Sequence, residues 1–199
     1  MFAPLRALLT LLLRLWAGLY FLSTSLGRFW PCDLEVGGRG LGWLWPCRGP
    51  EEVDHLGFLA EGKVFYPAEF LKVVREYGIF GPGQHVWLNA TAALVPWIEL
   101  TGGVFLVLGL LRRGTALALA GLTLAFTGAV AWRAMQVAGE TGLSFCAVEF
   151  DCGCGTGVEA VCPKLLANGV LLLACLLVAL SDSDFLSLDG RRQARREED

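Results

Sequence analysis

The stretch from Trp87 to Met135 decides the fold and reads WLNATAALVPWIELTGGVFLVLGLLRRGTALALAGLTLAFTGAVAWRAM. It contains two apolar runs, Trp87 to Leu111 and Thr115 to Met135. Each run is long enough for a helix to cross a bilayer, which takes about 20 residues. Little more than Arg112 and Arg113 separates them. The stretch therefore predicts two membrane-spanning helices joined by a tight, positively charged connection.

Two further apolar runs, Leu8 to Leu26 and Leu165 to Leu180, extend this pattern over the chain. With 55% hydrophobic residues and a mean hydropathy of +0.55, the composition is typical of a membrane protein. The sequence predicts an all-α four-helix transmembrane bundle over residues 1–181 and a charged cytoplasmic tail over 182–199. A signal peptide with Arg6 as its charged region is the alternative for the first run. Its length and the lack of a clean cleavage site favour a retained helix.

The basic residues that flank the four runs predict the orientation, because short cytoplasmic segments are enriched in Lys and Arg. With four spans, these residues fall on one side: Arg6, Arg112, Arg113, Arg191, Arg192, Arg195 and Arg196. We therefore expect an integral protein of the cell inner (plasma) membrane with both termini in the cytoplasm. The first loop, 28–84, and the hairpin between the third and fourth helices, 136–164, would form an extracytoplasmic cap. Helical spacing of apolar residues over 67–77 predicts a short surface helix in that loop.

Two charged residues, Arg14 and Glu99, fall inside predicted spans. Charges at such depth are costly and usually face the bundle interior with a partner. Glu99 could handle protons or hydrogen-bond a quinone or a partner thiol. Alternatively, a contact with Arg14 or with a hydroxyl group could only brace the bundle, and Asn168 has the same two interpretations. Pro96 on one side of Glu99 and Gly102-Gly103 on the other allow either a kink or a close helix contact.

The predicted topology places six cysteines on the outer side and leaves Cys175 inside the fourth span as a small packing residue. The outer cysteines are Cys32, Cys47, Cys146, Cys152, Cys154 and Cys162. An oxidising compartment favours disulfides, but spacing alone does not give their connectivity. Cys152 and Cys154 are separated by one glycine, so a bond between them closes a small, strained ring. Strained disulfides are oxidising and suited to exchange.

Several roles remain open for these cysteines. Cys152 and Cys154 are the candidate catalytic pair. The candidates for a relay or a structural disulfide are Cys32, Cys47, Cys146 and Cys162. Cys32 with Cys47 is either a second relay pair or a staple of the first loop. Purely structural disulfides throughout are the main alternative. The spacing C-x5-C-x-C-x7-C matches no dependable ligand pattern, so we expect no metal. No basic cluster with interleaved aromatics indicates a nucleic-acid partner.

Six short segments carry a family resemblance: Arg14–Phe21, Gly27-Arg28-Phe29, Glu76–Pro82, Pro96–Leu100 with Gly102 after it, Leu108-Gly109-Leu110, and Cys152-Gly153-Cys154. Together they resemble the DoxX/MauE membrane proteins, from the first helix through the fourth. The last segment matches the paired cysteines that follow the third helix in the MauE branch. The sequence departs from that branch at Gly155-Thr156-Gly157, where a phenylalanine is usual after the second cysteine. The longer first loop adds Cys32 and Cys47.

The two branches imply different functions. The MauE branch implies a membrane thiol–disulfide redox protein that supports disulfide formation in, or maturation of, an exported partner. That partner would be a thioredoxin-like protein or a redox enzyme, and the electrons would pass to a quinone in the bundle or to a partner protein. The DoxX branch implies a non-catalytic subunit that anchors or assembles a larger respiratory or dehydrogenase complex. Few polar residues lie in the spans, which disfavours a small-solute transporter.

Overall fold

A computed structural model describes residues 3–26, 63, 64, 67–152 and 158–182. In chain order its elements are α1 (Ala3–Leu26), α2 (Pro67–Glu76), α3 (His85–Leu108), α4 (Arg112–Thr141), a 3-10 turn (Phe145–Ala147), β1 (Glu149–Asp151), β2 (Val158–Ala160) and α5 (Val161–Leu180). Most of the first loop, with Cys32 and Cys47, lies outside the described residues, as do Cys154 and the tail from residue 183.

Four helices among the described residues are long and apolar enough to cross a membrane. They are Pro4–Leu26, His85–Leu108, Arg112–Thr141 and Val161–Leu180. The predicted four-helix membrane class is therefore confirmed, and each helix overlaps one predicted span. The chain is an integral membrane protein.

The helix ends differ from the predicted ones where glycines adopt the left-handed conformation. α3 ends at Leu108 because Gly109 has φ of 68° and its N–H caps the preceding turn. α4 continues past its predicted end at residue 135 to Thr141, and Gly142, with φ of 71°, terminates it in the same way. The added turns of α4 contribute Val137 and Ala138 to the apolar cluster around Cys152.

The four long helices form a closed ring in which α1 packs against α3 and α5, and α4 packs against α3 and α5. The short turn between α3 and α4 makes these two helices antiparallel. Apolar side chains from all four helices fill the centre. They include Ala17, Phe21, Leu106, Leu119, Leu171, Cys175 and Val178. Cys175 is fully buried in this core, in the packing position that the sequence predicts.

The crossing of α1 and α3 depends on two glycines. A Cβ atom added to Gly18 would lie 2.6 Å from Val107 Cγ2 and 3.0 Å from the Gly103 carbonyl oxygen. A Cβ atom on Gly103 would lie 3.0 Å from the Gly18 carbonyl oxygen. Such close backbone approach requires small residues on both helices. The close helix contact that the sequence allowed at Gly102 and Gly103 is observed.

One end of the bundle, which we call the arginine end, carries Arg112 and Arg113. Arg112 Nη1 donates to the Val178 carbonyl oxygen at 3.0 Å, and Nη2 donates to the Ser181 carbonyl oxygen at 2.8 Å. Thr10 Oγ1 lies 2.9 Å from Ser181 Oγ. The start of α1 and the end of α5 therefore lie together at this end, as a four-span topology requires. That this end faces the cytoplasm stays a prediction.

The opposite end, which we call the cysteine end, carries α2 and the β1–β2 hairpin. The predicted surface helix over 67–77 is observed as α2, whose side chains Phe70 and Val74 are buried against Leu88 and Ala92 of α3. Their spacing of four residues places both on one face of α2. These elements are the described part of the predicted cap, and their extracytoplasmic location stays a prediction.

Candidate functional site

The cysteine hairpin begins where α4 ends and returns directly into α5. β1 and β2 pair antiparallel, with Glu149 opposite Ala160 and Asp151 opposite Val158. A disulfide between Cys146 and Cys162 joins the 3-10 turn to the first turn of α5, with 5.0 Å between the Cα atoms. The hairpin stem is therefore fixed both by strand pairing and by a covalent bond.

Cys152 follows β1 directly and is buried, with only 2% of its surface exposed. It packs in a cluster with Tyr77, Val130, Val148 and Val161. The Tyr77 hydroxyl donates a hydrogen bond to the Cys152 carbonyl oxygen at 3.0 Å. Because Tyr77 directly follows α2, this bond ties the surface helix to the cysteine segment.

The disulfide settles one part of the connectivity that the sequence left open. Cys146 and Cys162 bond to each other, so neither sulfur is available to Cys152 or Cys154. Cys154, Cys32 and Cys47 lie outside the described residues. The structure thus separates a stem disulfide from Cys152, which lies at the start of the hairpin tip. The catalytic assignment of Cys152 and Cys154 stays a prediction.

A second constellation lies where the first loop meets the bundle. The ammonium group of Lys63 bonds to both carboxylate oxygens of Glu99, at 3.1 Å for Oε1 and 2.9 Å for Oε2. The two side chains are 5% and 6% exposed. The next residue, Val64, donates its N–H to the Ser25 carbonyl oxygen at the end of α1, at 3.2 Å. The loop therefore inserts a buried lysine into the bundle.

Two aromatic rings complete the surroundings of this lysine. Lys63 Nζ lies 5.2 Å from the centroid of the Phe70 ring and 5.6 Å from that of Phe126. Both distances fall within the range of cation–π attraction. We call the arrangement of Glu99, Phe70 and Phe126 the ammonium cage; its members come from α3, α2 and α4 respectively.

The structure gives Glu99 a partner that the sequence pattern did not predict. Glu99 is buried and paired, as expected of an intramembrane charge, but the carboxylate bonds to Lys63 from the first loop. Arg14 is also buried, at 2% exposure. It lies on the other side of the Gly18–Gly103 crossing, about 12 Å from Glu99 along the bundle axis by helical rise. The sequence signal for this pair was a charged residue inside an apolar span, which indicates a partner but does not identify it.

Other polar groups near the cysteine end have structural partners. Lys164, in the first turn of α5, is 4% exposed and forms an ion pair with Glu159 of β2 at 3.2 Å. This pair adds a second link between the hairpin and α5, beside the disulfide. Asn168 is buried one turn further along α5. Among the described residues, no group of three His, Cys, Asp or Glu side chains could hold a metal ion.

The protein is an integral membrane protein with four apolar helices. It encloses an ion pair between Lys63 and Glu99 and carries a cysteine hairpin at one end. The chain belongs to the MauE family, because the family model described as Methylamine utilisation protein MauE matches residues 56–181. The matched range contains Lys63, Glu99 and the hairpin, and α1 precedes it. No curated protein and no solved structure matches the chain. The MauE part of the resemblance is confirmed, and the DoxX part stays a prediction.

Proposed function

We propose that this protein is a membrane thiol–disulfide redox protein that supports disulfide formation in, or maturation of, an exported redox partner. Cys152 and Cys154 are the exchanging pair. The observation that carries the proposal is the Cys146–Cys162 bond. With those two sulfurs bonded to each other, the hairpin cysteines that remain are the two separated by a single glycine.

The scaffold around Cys152 suits such a role. Strand pairing, the stem disulfide and the Lys164–Glu159 ion pair anchor both sides of the hairpin to α5. The described stem of the hairpin is thereby fixed to the bundle, which suits a functional site carried on a loop. Tyr77 adds a tether from α2.

The chemistry is a balanced two-electron exchange. A thiolate of the partner attacks one sulfur of the Cys152–Cys154 disulfide, that bond breaks, and a mixed disulfide forms. The partner's second thiol then displaces the protein's sulfur, which leaves the partner oxidised and Cys152 and Cys154 as thiols. Two electrons and two protons then pass to a quinone, which becomes the quinol, and the protein's disulfide forms again.

The family description names methylamine utilisation, and it guides the choice of partner. We propose an exported protein with paired thiols as the direct partner, either a thioredoxin-like carrier or a redox enzyme that acquires disulfides during maturation. A role in the use of methylamine would follow if that enzyme acts on the amine.

A second candidate function is that of a non-catalytic subunit that assembles or anchors a larger membrane complex. The burial of Cys152 favours it, because an exchanging sulfur must be reached by a partner and this residue is 2% exposed beneath α2. In this case the hairpin cysteines would form static disulfides and the cap would be a docking surface.

The first experiment measures turnover with defined probes. The oxidised protein in detergent is mixed with dithiothreitol and a short-chain ubiquinone, and quinone reduction is followed by absorbance. We expect the wild-type protein to accelerate the reaction, and Cys152→Ser and Cys154→Ser to reduce it to the uncatalysed rate. Cys175→Ala, in the bundle core, is the matched control and should retain the activity.

A disulfide map by mass spectrometry complements this assay. A Cys152–Cys154 bond that mild dithiol reduces before Cys146–Cys162 would support exchange. If Cys152 and Cys154 are each bonded to another cysteine, or if wild-type protein gives only the uncatalysed rate, the redox proposal is wrong. Loss of complex formation in the single serine variants, with no partner changing its redox state, would support the assembly function.

A further inference from the structure

The three residues of the ammonium cage lie on helices, whereas the ammonium group that occupies it belongs to Lys63 of the first loop. Glu99, Phe70 and Phe126 belong to helices α3, α2 and α4. Lys63 lies 36 residues before Glu99 and reaches the cage from the first loop. The cage holds the Lys63 ammonium group through non-covalent contacts, although Lys63 precedes the cage residue Phe70 by only seven residues.

The contacts around Lys63 Nζ are those by which proteins recognise a primary ammonium ion. Both oxygens of Glu99 accept charge-assisted hydrogen bonds, at 3.1 and 2.9 Å. The negative faces of two phenylalanine rings attract the same cation from 5.2 and 5.6 Å. The carboxylate selects a cation with N–H donors, and the two ring faces attract its positive charge.

We propose that the ammonium cage is a binding site for primary alkylammonium ions, which Lys63 occupies as a tethered ligand. The proposal concerns a site apart from the cysteine pair and does not depend on the proposed redox function. Withdrawal of the Lys63 side chain opens the site to a free alkylammonium ion of matching size. A quaternary ammonium ion lacks the N–H donors that Glu99 requires and is excluded.

Removal of the tethered ligand provides the test. Lys63→Ala deletes the atoms of a propylammonium ion, so we use propylammonium chloride as the probe. The thermal unfolding midpoint of the full-length variant in detergent is measured against probe concentration, since a ligand that binds only the folded state raises it. We expect the midpoint to rise with saturation at millimolar probe. Wild-type protein should need at least about 10-fold more, because a tethered group has a millimolar effective concentration.

Three controls separate binding in the cage from general effects. Propan-1-ol has the size of the probe without its charge and should leave the midpoint unchanged, as should tetramethylammonium. Adding Glu99→Gln to Lys63→Ala should abolish the response to propylammonium. Lys164→Ala is the matched variant of another buried lysine, and its partner Glu159 is one-third exposed, so it should not respond.

The outcomes decide the proposal even if Lys63→Ala folds poorly. In that case the yield of monodisperse protein, expressed and purified with and without propylammonium, replaces the midpoint, and an increase with the probe supports the cage. The proposal is wrong if Lys63→Ala gains nothing from the probe in either measurement. It is equally wrong if propan-1-ol, the Glu99→Gln double variant or Lys164→Ala gives the same gain.

Discussion

At the scale of single residues, Glu99 is a carboxylate enclosed within an apolar span. A charge within an apolar span is costly unless it has a partner, and Lys63 supplies one from outside the helix. A buried pair contributes little net stability compared with apolar residues, because two charges must first lose their water. Breaking it is costly, since the remaining charge stays buried.

We expect Glu99→Gln to lower the free energy of unfolding by about 3 to 5 kcal/mol, the typical cost of breaking a buried ion pair. Unfolding of the detergent-solubilised protein in a denaturant series measures this. Glu140→Gln, at an exposed position near the end of α4, is the matched control and should change little. If Glu99 handles protons instead of bracing the fold, turnover would fall while stability hardly changed.

The link between Tyr77 and the Cys152 carbonyl oxygen makes a second residue-scale prediction. Tyr77→Phe removes a buried hydrogen bond worth about 1 kcal/mol, so the cysteine segment should open more often. After mild reduction, we expect Cys152 to be alkylated about fivefold faster, a ratio equivalent to about 1 kcal/mol. The rate at Cys175, read from the same digest, serves as the internal control. An unchanged Cys152 rate would show that α2 does not restrain this segment.

At the scale of elements, one close contact joins α1 to α3, and a second set of contacts fixes the hairpin. α1 and α3 meet backbone to backbone at Gly18 and Gly103. The hairpin is attached to α5 by the Cys146–Cys162 bond and by strand pairing. The first contact supports the membrane bundle, and the second supports only the cysteine end.

Gly18→Ala should destabilise the protein by about 1 to 3 kcal/mol, because the added methyl group overlaps Val107 and forces the helices apart. The thermal unfolding midpoint in detergent reports the change. Gly121→Ala on α4 is the matched control, since a Cβ atom there meets nothing within 4 Å. Equal midpoints for the two variants would contradict the tight α1–α3 crossing.

Replacing both stem cysteines, as Cys146→Ser with Cys162→Ser, should loosen the hairpin without unfolding the bundle. The bond closes a loop with a sequence separation of 16, for which chain entropy predicts about 3 kcal/mol of local stabilisation. We expect faster amide hydrogen exchange over β1 and β2 and unchanged exchange in α3. Global loss of helix by circular dichroism would mean that the hairpin supports the bundle as well.

At the scale of the whole molecule, the arginines and the cysteine hairpin lie at opposite ends of the bundle. Arg112, the start of α1 and the end of α5 meet at the arginine end. The hairpin and α2 occupy the other. The arginine distribution predicts that the first end is cytoplasmic.

Introduced cysteines test this orientation. An impermeant maleimide applied to intact spheroplasts should label Glu149→Cys at the exposed start of β1 and should not label Asp182→Cys until the membrane is permeabilised. Each variant serves as the control of the other, because both positions are exposed. The reverse pattern would invert the topology and remove the exported partner from the redox proposal.

The sequence by itself determined the membrane class, the number of spans and the amphipathic helix α2. These follow from hydropathy and periodicity, which are properties of neighbouring residues along the chain. It also marked Glu99 as a charge in need of a partner, and it singled out the cysteine-rich hairpin.

Only the tertiary structure decided which groups meet. Lys63 pairs with Glu99, 36 residues away in the sequence, and Cys146 forms its disulfide with Cys162. The Tyr77 hydroxyl bonds to the Cys152 carbonyl oxygen, 75 residues away. No local pattern encodes these partners, because they depend on where loops return and on which helices are neighbours in the ring. The burial of Lys63 could not be predicted for this reason. Lys63 lies in a loop, and its side chain is buried only because α2, α3 and α4 pack around it.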